Sequence, residues 1–308
     1  MTWTLLLEQF LNGFQLGVVL FLMAAGLTLV FGIMDMVNLA HGSLYMIGAL
    51  LCATFTDWTG SFILGVLLAL PAVLAVGIAV EVVALRTLYR RDHLDQVLAT
   101  FGLILFFNEL CRIIWGPEGM AIPLPGWLDG SIEILPGMPY PTYRLLVIAV
   151  GLAVAAALYW LVVRTRTGML IRAGASNRTM VGALGVNIGL LFTLIFGLGA
   201  ALAGLAGMMA APIVQANIGM GESILIPAFV VIVVGGIGSI RGAFIAALLV
   251  GLIDTMGRSF LDLLLGTVMS VTAAETAAPA LSAMAIYILM AVVLFFRPQG
   301  LFPPQGRR

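Results

Sequence analysis

The chain has 308 residues, of which 62% are hydrophobic and 9% charged, with a mean hydropathy of +1.16 and a formal net charge of zero. Soluble domains carry about 25% charged residues, so a soluble globular domain is excluded and a membrane protein is the reading. All 14 basic residues are arginine, and a chain without lysine builds neither a Walker-type phosphate loop nor a Schiff base.

A helix crossing a hydrocarbon core of about 30 Å needs roughly 20 apolar residues. The first such run, 10–33, follows Glu8 with no basic leader or small-residue cleavage site, which predicts a retained span and not a signal peptide. It leads into FGIMDMVNLAHGSLYMIGALL (31–51), where Asp35, Asn38 and His41 fall within two turns, flanked by Gly32 and Gly42. Irregular backbone at membrane depth is tolerated only where protein encloses it or it lines a cavity. Gly32 and Gly42 are therefore expected to allow an interruption, with Asp35 nearer the cytoplasmic mouth. Asn38 and His41 either line the solute pathway or cap each other's helix ends.

Runs at 43–57, 62–85 and 96–115 follow. Glu109 and Arg112, three apart, read as an ion pair facing the bundle. Prolines bar a long regular helix from the 116–143 loop, and its Trp127, Tyr140 and Tyr143 suit a membrane interface; it is an external lid, a docking surface or a passive linker. After a run at 144–163, residues 164–187 read RTRTGMLIRAGASNRTMVGALGVN. Asn177 is placed to cap a short helix presenting Met180, Val181 and Leu184 on one side, with Gly185 closing it. Such a segment lies on the lipid surface or fills a groove in a partner domain.

The run 188–210 sets Gly199, Ala203 and Gly207 on one stripe, which predicts close helix packing. Runs 223–240 and 243–258, divided by Arg241 and Gly242, are two short helices or one broken element, and 279–296 is the last. GGIGSIRG (235–242) has the wrong spacing and setting for a dinucleotide loop. Its Gly235, Gly236, Gly238 and Gly242 instead mark a second break. HGSLYMIGALL (41–51) and RGAFIAALLVG (241–251) each follow a glycine-containing turn, hinting at an internal repeat of the transporter kind. The fold class is an all-α polytopic membrane protein of eight or nine transmembrane helices with broken or re-entrant elements, forming one domain over 1–308.

Eleven arginines fall in one alternating set of connections: 86, 90 and 91; 164, 166, 172 and 178; 241; and 297, 307 and 308. The other set holds Arg112, Arg144 and Arg258, so the first is expected to be cytoplasmic, with the C-terminus inside. Cys52 and Cys111, far apart in apolar runs, read as buried bystanders. His41 and His93 form no metal-binding pair, and neither an HExxH nor a Gly-x-Ser-x-Gly motif occurs, so no catalytic, metal or cofactor site is expected. A stand-alone carrier or channel is the rival reading, resting on polar groups in spans such as Glu109, Arg112, Asp254, Asn12 and Gln15.

Four blocks then stand in a familiar order: GLTLVFGIMDMVNLAHGSLYMIGAL (26–50), LATFGLILFFNELCRIIWGPEG (98–119), RAGASNRTMVGALGVN continuing through LAGLAGMMAAP (172–212), and AFVVIVVGGIGSIRGA (228–243) with FRPQGLF (296–302). Together they resemble the permease subunits of Liv-type, high-affinity ATP-driven importers of branched-chain amino acids. The resemblance implies a non-catalytic subunit of the bacterial inner membrane, embedded in the lipid bilayer and without nucleic-acid partners. It further implies a second homologous permease in a heterodimer, two cytoplasmic ATPase subunits and a periplasmic substrate-binding protein. By the same resemblance, Asn38, His41, Gly42, Gly32, Thr100 and Gly236 belong to the substrate pathway. Arg172, Ala173, Asn177, Met180, Leu184 and Gly185 belong to the segment that docks the ATPase. Relatives of this family handle branched-chain and other amino acids, urea, short amides and aromatic acids.

Overall fold

The computed structural model describes residues 3–302; Arg307 and Arg308 of the charge pattern lie outside the described residues. Apolar runs that must satisfy every backbone group internally become helices in lipid, and the order follows from that. Helices α1 (Trp3–Met34), α2 (His41–Thr59) and α3 (Phe62–Val83) lead through a 3-10 helix (Leu85–Arg90) to α4 (His93–Trp115). A hairpin of β1 (Ser131–Leu135) and β2 (Met138–Pro141) precedes α5 (Thr142–Arg164), and two short helices follow, α6 (Arg166–Ser176) and α7 (Arg178–Ala183). The chain closes with α8 (Ile188–Val214), α9 (Met220–Gly235), α10 (Ile240–Leu265) and α11 (Val271–Phe296).

Seven of these helices are long and apolar enough to cross a membrane: α1, α3, α4, α5, α8, α10 and α11. Helix α9 has only 16 residues, and α2, which carries His41, Ser43, Thr56 and Asp57, is less apolar. Among the described residues these two complete a bundle of nine. The apolar run at 223–240 is broken at 236–239, so the two short runs of the sequence reading are separate helices.

Helix α1 is the axis of the bundle, with 83% of its apolar span buried against 11% for α11. Lipid supplies no hydrophobic drive between helices, so close packing depends on small residues. A methyl group on Gly17 would approach the Leu248 Cα to 2.8 Å, and Gly251 packs in return on the α1 backbone at Gly13 and Gly17. The stripe read from α8 divides between neighbours. Gly199 faces α1 at Gly26, Gly207 faces the Tyr45 carbonyl of α2, and Gly204 meets both Val73 of α3 and Gly48.

The bundle has two distinct ends. At one, Pro136 and Gly137 (φ +80°) turn the β-hairpin, as Pro then Gly do in a type II turn. The hairpin is fastened where the Tyr140 hydroxyl donates to Asn12 Oδ1 at 3.1 Å and Arg144 donates to the same oxygen. The Tyr143 hydroxyl donates to the Met209 carbonyl at 2.9 Å, and Met120 pairs with Ala216 through both backbone hydrogen bonds. At the opposite end lie the 3-10 helix, α6, α7 and the tail at 297–302. There Glu81, fully buried, accepts from Tyr89 at 2.6 Å, from Thr193 at 2.8 Å and from Arg86 at 3.2 Å, tying α3 to α8. Burial and the hydrogen bond to Glu81 push the Tyr89 hydroxyl above the ordinary tyrosine range.

The ion pair expected to face the bundle does not. Glu109 and Arg112 do pair, at 3.1 Å, but both are exposed and face away from this chain's bundle. Helix α4 buries Gln96, Thr100, Ile104, Phe107 and Cys111, a stripe at spacings of four and three, and neither member of the pair lies on it.

Candidate functional site

The interruption begins where α1 ends. Asp35 takes φ +52°, a left-handed conformation uncommon outside glycine, and the chain stays irregular to Ala40. Gly32 and Gly42 lie inside the flanking helices, not in the interruption, and each provides a close approach. A methyl group on Gly32 would stand 2.8 Å from the Gly238 Cα, and one on Gly42 would collide with the Gly221 carbonyl. The first break thus packs on the second break, and the start of α2 packs on the start of α9.

His41 and Asn38 are 0% and 1% exposed, and the Asn38 amide has no hydrogen-bond partner among the described residues. The His41 ring lies beside the Met23 carbonyl and against Gly26, where a methyl group would sit 2.9 Å from Nε2 and 2.7 Å from the Gly199 carbonyl. Neither residue caps a helix, since α2 starts without a side-chain cap. The hydroxyls of Thr28 and Ser43 are buried and have no partner among the described residues either. Buried polar groups are normally paired, and polar groups within spans mark functional positions by default.

The other pathway candidates stand apart. Thr100 is buried on α4, and its hydroxyl donates to the Gln96 carbonyl of its own helix at 2.7 Å. Gly236, with φ +101°, follows α9 and is covered by the tail. Leu301 and Phe302 donate to the Val234 and Gly235 carbonyls at 2.8 and 3.1 Å, so 299–302 lie across the second break.

The segment between α5 and α8 is an elbow held by three side-chain caps. Thr165 accepts from Gly168 N at 3.0 Å, Asn177 from Met180 N at 2.9 Å and Asn187 from Leu190 N at 3.0 Å. Gly185, at φ +87°, closes α7 as Val186 N donates back to the Val181 carbonyl. The cap at Asn177 and the turn at Gly185 follow the sequence reading, whereas Val181 turns inward and is buried. Met180 and Leu184 remain exposed, at 59% and 76%. Arg172 donates to the Val162 carbonyl, Ala173 is half-buried, and Gly174 lets α6 rest near Ile33 and Leu191.

Sequence reasoning did not single out an open cavity of about 550 Å³ at the hairpin end, where Gln15 and Val19 of α1, Tyr45 of α2, Ile213 of α8 and Met220 of α9 meet. Its one legible signal was that Tyr45 lies four residues after His41, on the same face of α2.

Residues 9–294 match the family described as branched-chain amino acid transport system, permease component. The chain is 32% identical to the high-affinity branched-chain amino acid transport system permease protein BraD of Pseudomonas aeruginosa, covering 96% of this chain and 95% of that one. It is 30% identical to the corresponding protein LivH of Salmonella typhimurium, over 83% and 87% of the two chains. A probable branched-chain amino acid transport permease protein LivH of Methanocaldococcus jannaschii is 27% identical, over 80% of each. No solved structure matches.

Proposed function

The chain belongs to the branched-chain amino acid transport permease family, and from that premise we propose that it is the membrane-spanning subunit of an ATP-driven importer. It moves a branched-chain amino acid, or a related small polar solute, by alternating access. The observation that carries this reading is the family match from residue 9 to 294, which takes in both breaks and the elbow. The subunit is a multi-pass protein of the inner membrane and is not itself an enzyme; ATPase and substrate-binding partners complete the importer. In the assembly we propose, a second, related permease stands beside it, two ATPase subunits bind from the cytoplasm, and a periplasmic protein delivers the solute.

The distribution of arginines supports a cytoplasmic elbow and C-terminus. Arg86, Arg164, Arg166, Arg172 and Arg241 gather at the elbow end, while Arg112, Arg144 and Arg258 lie toward the other. Met180 and Leu184, exposed on a capped turn, supply an apolar key for a groove in the ATPase. Arg172, Ala173, Asn177 and Gly185 set the position of that key.

The break carries the conformational change. Asn38, buried without a partner among the described residues, and the buried His41 ring gain polar partners when α1, α2 and α8 part, and the backbone contacts at Gly32 and Gly42 are the surfaces that separate. Gly236 is the pivot of the second break, and Thr100 lies on the buried stripe of α4 one turn before Ile104, which lines the crevice at the start of α2. Reconstitution tests the whole reading. Labelled leucine should enter proteoliposomes only when this chain, its partner subunits, binding protein and ATP are all present; uptake by the purified chain alone would make it a stand-alone carrier.

A further inference from the structure

The cavity at the hairpin end has the chemistry of a chamber for a particular kind of solute. Its volume, about 550 Å³, falls within the range of about 300–1,000 Å³ usual for small-molecule sites. Leu16, Val19, Ala210, Ile213, Val214 and Ile224 give it an aliphatic wall. Four polar side chains line it: Asn217 and Ser223 donate to the nearby Gln215 and Met220 carbonyls, whereas Gln15 and Tyr45, only 8% and 3% exposed, have no hydrogen-bond partner among the described residues. Both line the cavity, so the amide and the hydroxyl are open to a solute there and not spent on the protein's own hydrogen bonds.

The start of α9 forms a further part of the lining. Its N-cap is Gly219, at φ +91°, and no side chain caps it. The first N–H groups of a helix have no acceptor within it, and the helix dipole makes that end an anion site. Glu222, the acidic residue of that turn, lies instead in the crevice toward α4, bonded to Asn108 at 2.5 Å. No Asp, Glu or Arg is among the residues lining the cavity.

Building on the importer reading, we propose that this cavity holds a neutral aliphatic amino acid, its carboxylate on the uncapped start of α9 and its side chain against the α8 wall. Its ammonium group donates to the Gln15 amide oxygen and the Tyr45 hydroxyl. A solute with a charged side chain would bring a charge that no wall residue balances, so acidic and basic amino acids are rejected. Tyr45 stands one turn of α2 beyond His41, so the floor of the chamber and the break move on one helix.

The test uses the assembled permease and ATPase subunits in nanodiscs without the binding protein, with L-leucine and L-glutamate as probes. L-leucine should raise the melting temperature in a saturable way and L-glutamate should not. Tyr45→Phe should weaken the apparent leucine affinity about tenfold, the equivalent of one hydrogen bond. Ile213→Trp, at a half-exposed wall position where folding is preserved, should abolish the response. A leucine response unchanged in both variants, or equal for glutamate, would overturn the chamber. Leucine import by the complete wild-type system is scored separately: if import fails while leucine still stabilises the assembly, the importer reading falls and the chamber stands.

Discussion

Two aspartates on the elbow provide the sharpest perturbation of the motor contact. In a Met180→Asp, Leu184→Asp double variant the capped turn is retained, because both side chains are exposed, at 59% and 76%, and contribute little to the fold. Exposed substitutions of this kind shift stability by about 0.5 kcal/mol or less, so the melting temperature of the isolated permease should not change. Docking is different. Fully burying a leucine or methionine side chain is worth roughly 1.5–3 kcal/mol, and these two residues have most of that still to gain. Their joint contribution is therefore about 3 kcal/mol, which is on the order of a hundredfold in affinity. Fluorescently labelled ATPase subunit titrated against the permease in nanodiscs measures it directly. Equal affinity for wild type and double variant would refute the elbow as the docking key.

Three further outcomes follow from the same geometry. Asn177→Ala removes the cap on Met180 N, costing about 1 kcal/mol, and should speed amide exchange across α7, whereas Asn177→Asp should not. Asn38→Ala and His41→Ala should each lower leucine uptake at least several-fold in assemblies whose expression and ATPase docking are intact; unchanged uptake in both would remove the break from the transport cycle. Glu81→Leu takes the acceptor from the Tyr89 hydroxyl and unties α3 from Thr193 and Arg86, which keep their bonds to the Gly189 carbonyl and to each other, and should cost roughly 1–3 kcal/mol, read as a lower melting temperature of the purified permease.

Much of this architecture was legible because lipid enforces simple rules. The long apolar runs became helices, the arginine-rich turns gathered at one end, and Asn177 and Gly185 took the local roles that their side chains dictate. The harder features depend on partners distant in sequence. The hairpin at 131–141 was signalled by the Pro136-Gly137 pair, yet short strands in a proline-rich loop lack the alternation that would announce them. Glu81 stands alone in an apolar run, and only the fold brings Thr193 of α8 to it. Gly32 and Gly42 were expected to break the helix, but the break is made by Asp35 and the irregular residues after it, while the glycines serve contacts with Gly238 and Gly221. Val181 shares a short turn with Met180 and Leu184, and nothing local tells which of the three faces inward. The cavity joins residues from four helices and so has no signature in any single stretch.

The central claim, that the elbow faces the cytosol and meets the motor there, is tested most directly by thiol labelling of a Leu184→Cys variant. Cys52 and Cys111 are buried and leave the background low. A membrane-impermeant maleimide should label Leu184→Cys in inside-out vesicles but not in intact spheroplasts, and bound ATPase subunits should protect it. Labelling from the periplasmic side, or no protection by the ATPase, would contradict the account.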